Sequence, residues 1–216
     1  TLVDYEKVTD ERGRRLIFFG WHAGVAGMVE TLWALGRRLE FEGHRTAFCE
    51  LKRPLQYHDV AEMKEDVRRI GERIREEGLP DEVCPLVVGI AGYGNVSRGA
   101  QEMLDLLPHE VVEPADLAGL FERGGRNDRV YKVVFKEEHT VRRKDSSAPF
   151  NLQEFYEHPE RYEGVFERYL PYLTVVVNAI YWEPKYPRLM TKEATRRLAA
   201  EGRLRVKVVG DISCDI

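Results

Sequence analysis

The sequence feature that most constrains the fold is a continuous apolar run at residues 86–91 (LVVGIA) that leads straight into a glycine-rich segment. Six consecutive apolar residues of this kind are typical of a strand buried on both faces of a sheet. An amphipathic helical pattern follows, with Val96, Ala100 and Met103 on one face. Strand, glycine turn and helix therefore follow one another directly, which is the layout of a nucleotide-phosphate loop.

Strand and helix patterns alternate along the chain, with further strands predicted to begin near Glu110, Arg129, Leu173 and Val206. This alternation predicts an α/β fold with a doubly wound parallel sheet, Rossmann-like, in the strand order 3-2-1-4-5. We expect residues 81–216 to form a dinucleotide-binding domain. Residues 1–80 are predicted to pack on it as a crossover strand at 15–20 and a helical segment.

The first predicted helix, which follows residues 15–20, contains three glycines: Gly24, Gly27 and Gly36. Each costs about 1 kcal/mol of helix stability relative to alanine. We expect this cost to be offset by close packing of the helix against another backbone.

The glycine loop reads Gly92-Tyr-Gly94-Asn95-Val96-Ser97. Gly92 would permit a tight turn and Gly94 a close approach of a pyrophosphate, while the amides near Asn95 and Val96 would face the phosphates. The third fingerprint position is Ser97 instead of glycine, and this small residue still permits close packing of the helix. The alternative is a glycine turn that serves only the fold.

Glu113 lies 19 residues after Gly94, at the end of the second predicted strand. An acidic residue there usually accepts hydrogen bonds from the adenine ribose and favours NAD over NADP. The alternative is a solvated side chain. The basic run at residues 142–144 is most simply a solvated loop, with a phosphate clamp for NADP as the other option.

Composition excludes several classes of function. The net charge of −4 gives no general attraction to nucleic acid or to anionic membranes. No apolar run is long enough for a transmembrane helix, the six histidines show no ligand spacing, and we expect no bound metal. Three scattered cysteines fit a reducing compartment, the cytoplasm or the mitochondrial matrix. Because residue 1 is threonine, we expect a fragment of a longer chain, although a trimmed tail explains this equally well.

Four stretches together resemble the saccharopine dehydrogenase family, specifically its lysine-ketoglutarate reductases. They are GWHAGVAGMVETLWALG, GYGNVSRGAQEMLDLLP, YLPYLTVVVNAIYWEPKYPRLMT and the terminal VVGDISCDI. The resemblance implies a cofactor domain of the alanine dehydrogenase and transhydrogenase type. It also implies reductive condensation of lysine, an amino acid, with 2-oxoglutarate, a 2-oxo acid, using NAD or NADP.

The resemblance also assigns residues. The phosphate loop would comprise Gly92, Gly94, Asn95, Val96 and Ser97, and the nicotinamide would lie beside Asn178, Ala179, Ile180 and Tyr181. Asp211 and Asp215 follow the last strand, and Asp215 is the favoured catalytic residue. The implied partners are a substrate-binding domain from the same protein and a second copy in a homodimer. The alternatives are a non-catalytic nucleotide-binding module and an alanine dehydrogenase-like enzyme.

Overall fold

The computed structural model describes residues 4–145 and 148–212. A five-stranded parallel sheet lies at its centre, and each of its strands coincides with one of the five predicted strands. A separate two-stranded antiparallel sheet is formed by two short strands that the sequence pattern did not predict. In chain order the strands are β1 (Val87–Ala91), β2 (His109–Val111), β3 (Val130–Phe135), β4 (Val141–Arg143), β5 (Tyr162–Gly164), β6 (Val175–Asn178) and β7 (Val208–Asp211).

Helices cover both faces of the sheet, as expected of a doubly wound fold. The α-helices are α1 (Gly20–Phe41), α2 (Val60–Glu77), α3 (Asn95–Leu104), α4 (Leu117–Arg123), α5 (Glu137–Thr140), α6 (Leu152–Glu157) and α7 (Lys192–Ala200). Val88 and Ile90 of β1 belong to the core cluster that contains α1, α2 and α3. Val87, the residue before them, packs on the other face with residues of α4 and α7. The predicted α/β fold is therefore confirmed.

The predicted order of the second and third strands is wrong. The observed order is β2-β3-β1-β6-β7, so β3 and not β2 lies beside β1. Burial explains the exchange, because β2 is three residues long and none of them is buried, whereas five of the six residues of β3 are. A short, partly polar strand is suited to a sheet edge, and an apolar strand to the interior. Periodicity in the sequence identifies strands but does not specify their neighbours.

The crossover strand predicted at residues 15–20 is not formed. Only an isolated bridge between Thr9 and Arg15 is present, and α1 already begins at Gly20. Leu16 and Phe18 are 58% and 66% exposed. These apolar residues find no strand to pair with in the described part of the chain, so the backbone stays extended without a sheet.

The glycines of α1 allow the close packing that was expected of them. A Cβ atom on Gly24 would overlap the carbonyl of Val96 in α3, and one on Gly36 would collide with the carbonyl of Phe48. Gly27 instead faces the side chain of Ile212. The contact at Gly24 presses α1 against the first turn of α3, directly behind the glycine loop.

Candidate functional site

The turn after β1 has a geometry that only glycine readily adopts. Gly92 has φ of +102°, and a Cβ atom on it would lie 2.7 Å from Cγ2 of Ile180 and 2.9 Å from the carbonyl oxygen of Ala179. Its amide donates a hydrogen bond of 2.9 Å to the carbonyl oxygen of Phe135 at the end of β3. Gly92 is therefore required by the fold, whether or not a ligand binds.

Gly94 differs from Gly92 in this respect. Its φ of −76° is open to any residue, and, its chain neighbours aside, no atom of the described residues lies within 4 Å of the position that a Cβ atom would take. Nothing in the described fold demands glycine here. The empty space above Gly94 is the space into which a ligand could bring a phosphate close to the backbone.

Gly94 is also the N-cap residue of α3, and no side chain caps this helix within the described residues. The first N–H groups of an α-helix have no partner inside the helix and carry the positive end of its dipole. Asn95 is exposed and Val96 is half-buried, so this end reaches the surface. Ser97 is fully buried, and its hydroxyl accepts a hydrogen bond of 3.0 Å from Gln101, which fits a packing role better than direct ligand contact.

A cavity of about 380 Å³ opens at the carboxyl edge of the sheet, next to this turn. It brings together Gly92 and Gly94 with Ala179, Ile180 and Tyr181 after β6. Because the chain winds in opposite directions on the two sides of β1 and β6, this is the switch point at which ligands bind in open α/β sheets. Its volume lies within the usual range of small-molecule sites.

A second cavity of about 310 Å³ adjoins the first between the ends of β6 and β7. Asn178 and Asp211 both line it, and Asn178 Nδ2 donates a hydrogen bond of 3.0 Å to Asp211 Oδ1. Ile180 lines both cavities. The structure thus gathers the predicted residues into two adjoining groups, the glycine loop with residues 179–181 and the pair at the ends of β6 and β7.

One predicted site residue, Glu113, stands apart from these groups, and another, Asp215, is not described by the structure. Glu113 follows the edge strand β2, is exposed, and lines neither cavity. Asp215 lies outside the described residues, so its catalytic role stays a prediction.

Several residues that line the first cavity were not predicted from the sequence. Tyr93, Glu137, Tyr156, Trp182 and Arg188 all line it. Tyr156 lies on α6, between the paired strands β4 and β5. This segment has a small core of Val141, Phe155 and Tyr162, and it borders the cavity at the carboxyl edge. Most aromatic side chains of residues 150–172 are buried, but Tyr156 is 46% exposed.

Glu137 connects two of the aromatic side chains. The hydroxyl of Tyr156 donates a hydrogen bond of 2.7 Å to Glu137 Oε1. Burial and this carboxylate together raise the pKa of Tyr156 well above its ordinary value, and burial followed by the charge of Glu137 also raises the pKa of Tyr93. Both phenols therefore stay protonated at neutral pH and can donate hydrogen bonds.

Metal-binding clusters and membrane-spanning helices are both absent from residues 4–145 and 148–212. These residues contain no cluster of three or more histidine, cysteine, aspartate or glutamate side chains that could hold a metal ion. Their helices are too short or too polar for any of them to cross a membrane.

Comparison with known proteins confirms the resemblance noted in the sequence. The chain is 40% identical over 227 aligned residues to alpha-aminoadipic semialdehyde synthase of Arabidopsis thaliana, an alignment that covers the whole chain and 21% of the plant protein. The mitochondrial alpha-aminoadipic semialdehyde synthases of Mus musculus and Bos taurus are 38% and 37% identical, over 91% and 94% of this chain and 21% and 22% of theirs. The chain thus spans about a fifth of the length of these relatives. No family model matches it.

Proposed function

We propose that this chain is the nicotinamide-dinucleotide-binding part of a lysine-ketoglutarate reductase. It aligns with about a fifth of the length of the alpha-aminoadipic semialdehyde synthases. The whole enzyme would join lysine and 2-oxoglutarate reductively to saccharopine, or run the reverse reaction. The observation that carries the proposal is the open space at Gly94, at the carboxyl edge of a parallel sheet and at the uncapped start of a helix.

The glycine loop would hold the diphosphate of the cofactor. The amides at the start of α3 offer donors without intrahelical partners, and the helix dipole adds attraction for negative charge. A side chain at position 94 would occupy the space that a phosphate needs, whereas the fold itself tolerates one. This asymmetry favours a ligand-binding role over a purely structural turn.

The nicotinamide half would extend toward the ends of β6 and β7. Bound there, the cofactor supplies the hydride that reduces the condensed lysine and 2-oxoglutarate. Ala179 and Ile180 would give the nicotinamide an apolar surface to lie against. The hydrogen bond between Asn178 and Asp211 fixes two polar groups in the adjoining second cavity. In this proposal Asp215, beyond the described residues, contacts the nicotinamide and the substrate.

The rest of the enzyme would supply what this chain lacks. The substrate carboxylates need Arg or Lys partners, which we assign to a substrate-binding domain elsewhere in the protein. Leu16, Phe18 and Phe19 form an exposed apolar group near the N-terminus. Such groups often mark interaction sites, so we propose that the substrate-binding domain covers these residues. We propose that cofactor domains pair in a homodimer, in the mitochondrial matrix if the source is eukaryotic and otherwise in the cytoplasm.

A titration of the chain with NADH and with NADPH, followed by nucleotide fluorescence, tests the proposal. We expect saturable binding of at least one nucleotide and no turnover of lysine with 2-oxoglutarate. Gly94→Val should abolish binding while the melting temperature stays near that of the wild type. Absence of binding at millimolar nucleotide, or unchanged affinity in Gly94→Val, would contradict it.

A further inference from the structure

Arg188 brings a positive charge to both cavities at the carboxyl edge of the sheet. It lines the first cavity together with Gly94 and the second together with Asn178 and Asp211. Lys136, the other basic residue of the first cavity, does not line the second, and neither does Gly94. Arg188 therefore lies where the two cavities adjoin, between the glycine loop and the ends of β6 and β7.

The guanidinium of Arg188 is held against an aromatic ring. Its Cζ atom lies over the indole of Trp182, 4.5 Å from the ring centroid, and Trp182 also lines both cavities. The indole Nε1 donates a hydrogen bond of 3.1 Å to the carbonyl oxygen of Tyr186, which fixes the ring. A guanidinium stacked on an aromatic face keeps its N–H edge free, and this edge matches the two oxygens of a carboxylate.

Arg188 has no acidic partner of its own in the described part of the chain. Its guanidinium forms no ion pair with a carboxylate of residues 4–145 and 148–212, and the side chain is exposed. The nearby Glu183 pairs with Lys185 at 3.1 Å. Glu137 and Asp211, the acidic residues that line the cavities, accept hydrogen bonds from Tyr and Asn side chains instead. The stacked cation is thus available to an anionic ligand.

The position of Arg188 indicates which anion this is. In the proposed binding mode the diphosphate lies at Gly94, which lines the first cavity, and the nicotinamide extends toward the second. The two cavities together are lined by two basic and two acidic side chains, so an anion gains from a specific contact and not from a general positive field. The anions that the reaction brings next to the nicotinamide are the carboxylates of the substrates.

We propose that Arg188 binds a carboxylate of the 2-oxo acid substrate beside the nicotinamide. Trp182 holds the guanidinium in place, and Arg188 adds to the carboxylate partners assigned to the substrate-binding domain. This assignment rests on the proposed function and gives the chain a direct part in substrate recognition as well as in cofactor binding.

Two binding constants test the assignment, both measured on the complete enzyme that contains this chain. Fluorescence titration gives the affinity for the reduced nucleotide. Calorimetric titration gives the affinity for 2-oxoglutarate with the oxidised nucleotide bound, a complex in which no reduction can occur. We expect Arg188→Gln to weaken 2-oxoglutarate binding by roughly tenfold or more, because charge-assisted bidentate hydrogen bonds are lost, and to leave nucleotide affinity within about twofold.

Two further variants separate charge recognition from loss of structure. Arg188→Lys keeps the charge without the bidentate edge, so its affinity for 2-oxoglutarate should fall between those of Arg188→Gln and the wild type. Arg168→Gln is the matched control, because Arg168 also stacks on a ring, that of Tyr169 at 4.7 Å, but lines neither cavity. It should leave both affinities within about twofold, and melting curves should show each variant folded.

The outcomes distinguish this assignment from the proposed function. If the wild type binds no nucleotide, the proposed function fails and the assignment with it. If the wild type binds nucleotide but Arg188→Gln keeps wild-type affinity for 2-oxoglutarate, or matches Arg168→Gln, only the assignment is overturned. A loss of nucleotide affinity as large as the loss for 2-oxoglutarate would also overturn it, since Arg188 would then serve the diphosphate.

Discussion

Gly24 of α1 lies directly against the carbonyl of Val96 in the first turn of α3, with no room for a methyl group between them. Gly99 makes the reciprocal contact with the carbonyl of Trp21. The two helices therefore meet backbone to backbone immediately behind the glycine loop, so the position of α1 determines where the start of α3 lies.

Gly24→Ala should destabilise the protein by about 1–3 kcal/mol, because the added methyl forces the helices apart. It should also weaken nucleotide binding by displacing the first turn of α3. Urea denaturation measures the first effect and a fluorescence titration the second. Gly119→Ala in α4 is the control, since among the described residues outside its own turn its methyl would meet the flexible end of Arg123 at 3.1 Å and nothing else within 4 Å. A Gly24→Ala protein as stable as this control would disprove the backbone-to-backbone contact between α1 and α3.

Gly92→Ala should cost about 1–3 kcal/mol of stability, because φ of +102° strains any residue with a Cβ atom. Crowding by the carbonyl of Ala179 adds to this. Gly94→Ala, two residues away, should cost at most about 1 kcal/mol, the loss expected when alanine replaces glycine as the N-cap residue of α3. Thermal melts of the pair check the difference, and equal costs at both positions would refute the distinction drawn between the two glycines.

Much of the fold could be predicted from the sequence, and the errors have physical reasons. The strand at Val87–Ala91, the glycine turn and α3 are local features, so periodicity and glycine placement identified them. The order of β2 and β3 depends on which strand buries both faces against distant helices, which is not a local property. The residues 15–20 are apolar enough for a strand but have no partner strand in the described chain.

The candidate site was predicted only in part, because some of its residues are brought together by contacts that are distant in sequence. Gly92, Gly94 and residues 179–181 follow strand ends, and strand ends of a parallel sheet meet at one edge. Glu137 reaches that edge because β3 lies beside β1. Tyr156 reaches it from α6, in the segment between β4 and β5. An acidic residue two positions after a buried strand was the signal available for Glu137.

Asp105→Asn should destabilise the protein by about 1–3 kcal/mol, because it leaves a buried ammonium group without its carboxylate. Lys132, in the middle of β3, is only 8% exposed at its side chain, and its Nζ donates to Asp105. Lys132→Met removes the charge itself and should cost less than Asp105→Asn. Urea denaturation of both variants tests this ranking, and the opposite order would show that the pair is not what keeps Lys132 buried.

Cys84 should react slowly with thiol reagents. Burial, followed by the charge of Asp81, raises the pKa of its thiol to about 11, so it is almost wholly protonated at pH 8. In a Cys49→Ser/Cys214→Ser background, labelling at pH 8 should be roughly 100-fold slower than for a free thiol of ordinary pKa, since the thiolate is the reactive form. The rate should climb about tenfold per pH unit up to pH 10. A plateau near pH 9, or rapid labelling at pH 8, would contradict this.

The most direct test of the account follows the amide resonances of the ¹⁵N-labelled chain while NADH is added. We expect the amides of Gly94, Asn95 and Val96 to shift in a saturable way, because they would donate to the diphosphate. The amides of Gly124 and Gly202, in turns away from the carboxyl edge, should stay unchanged. Binding that leaves the resonances of Gly94, Asn95 and Val96 in place, or no binding at all, would show that this turn does not receive a dinucleotide.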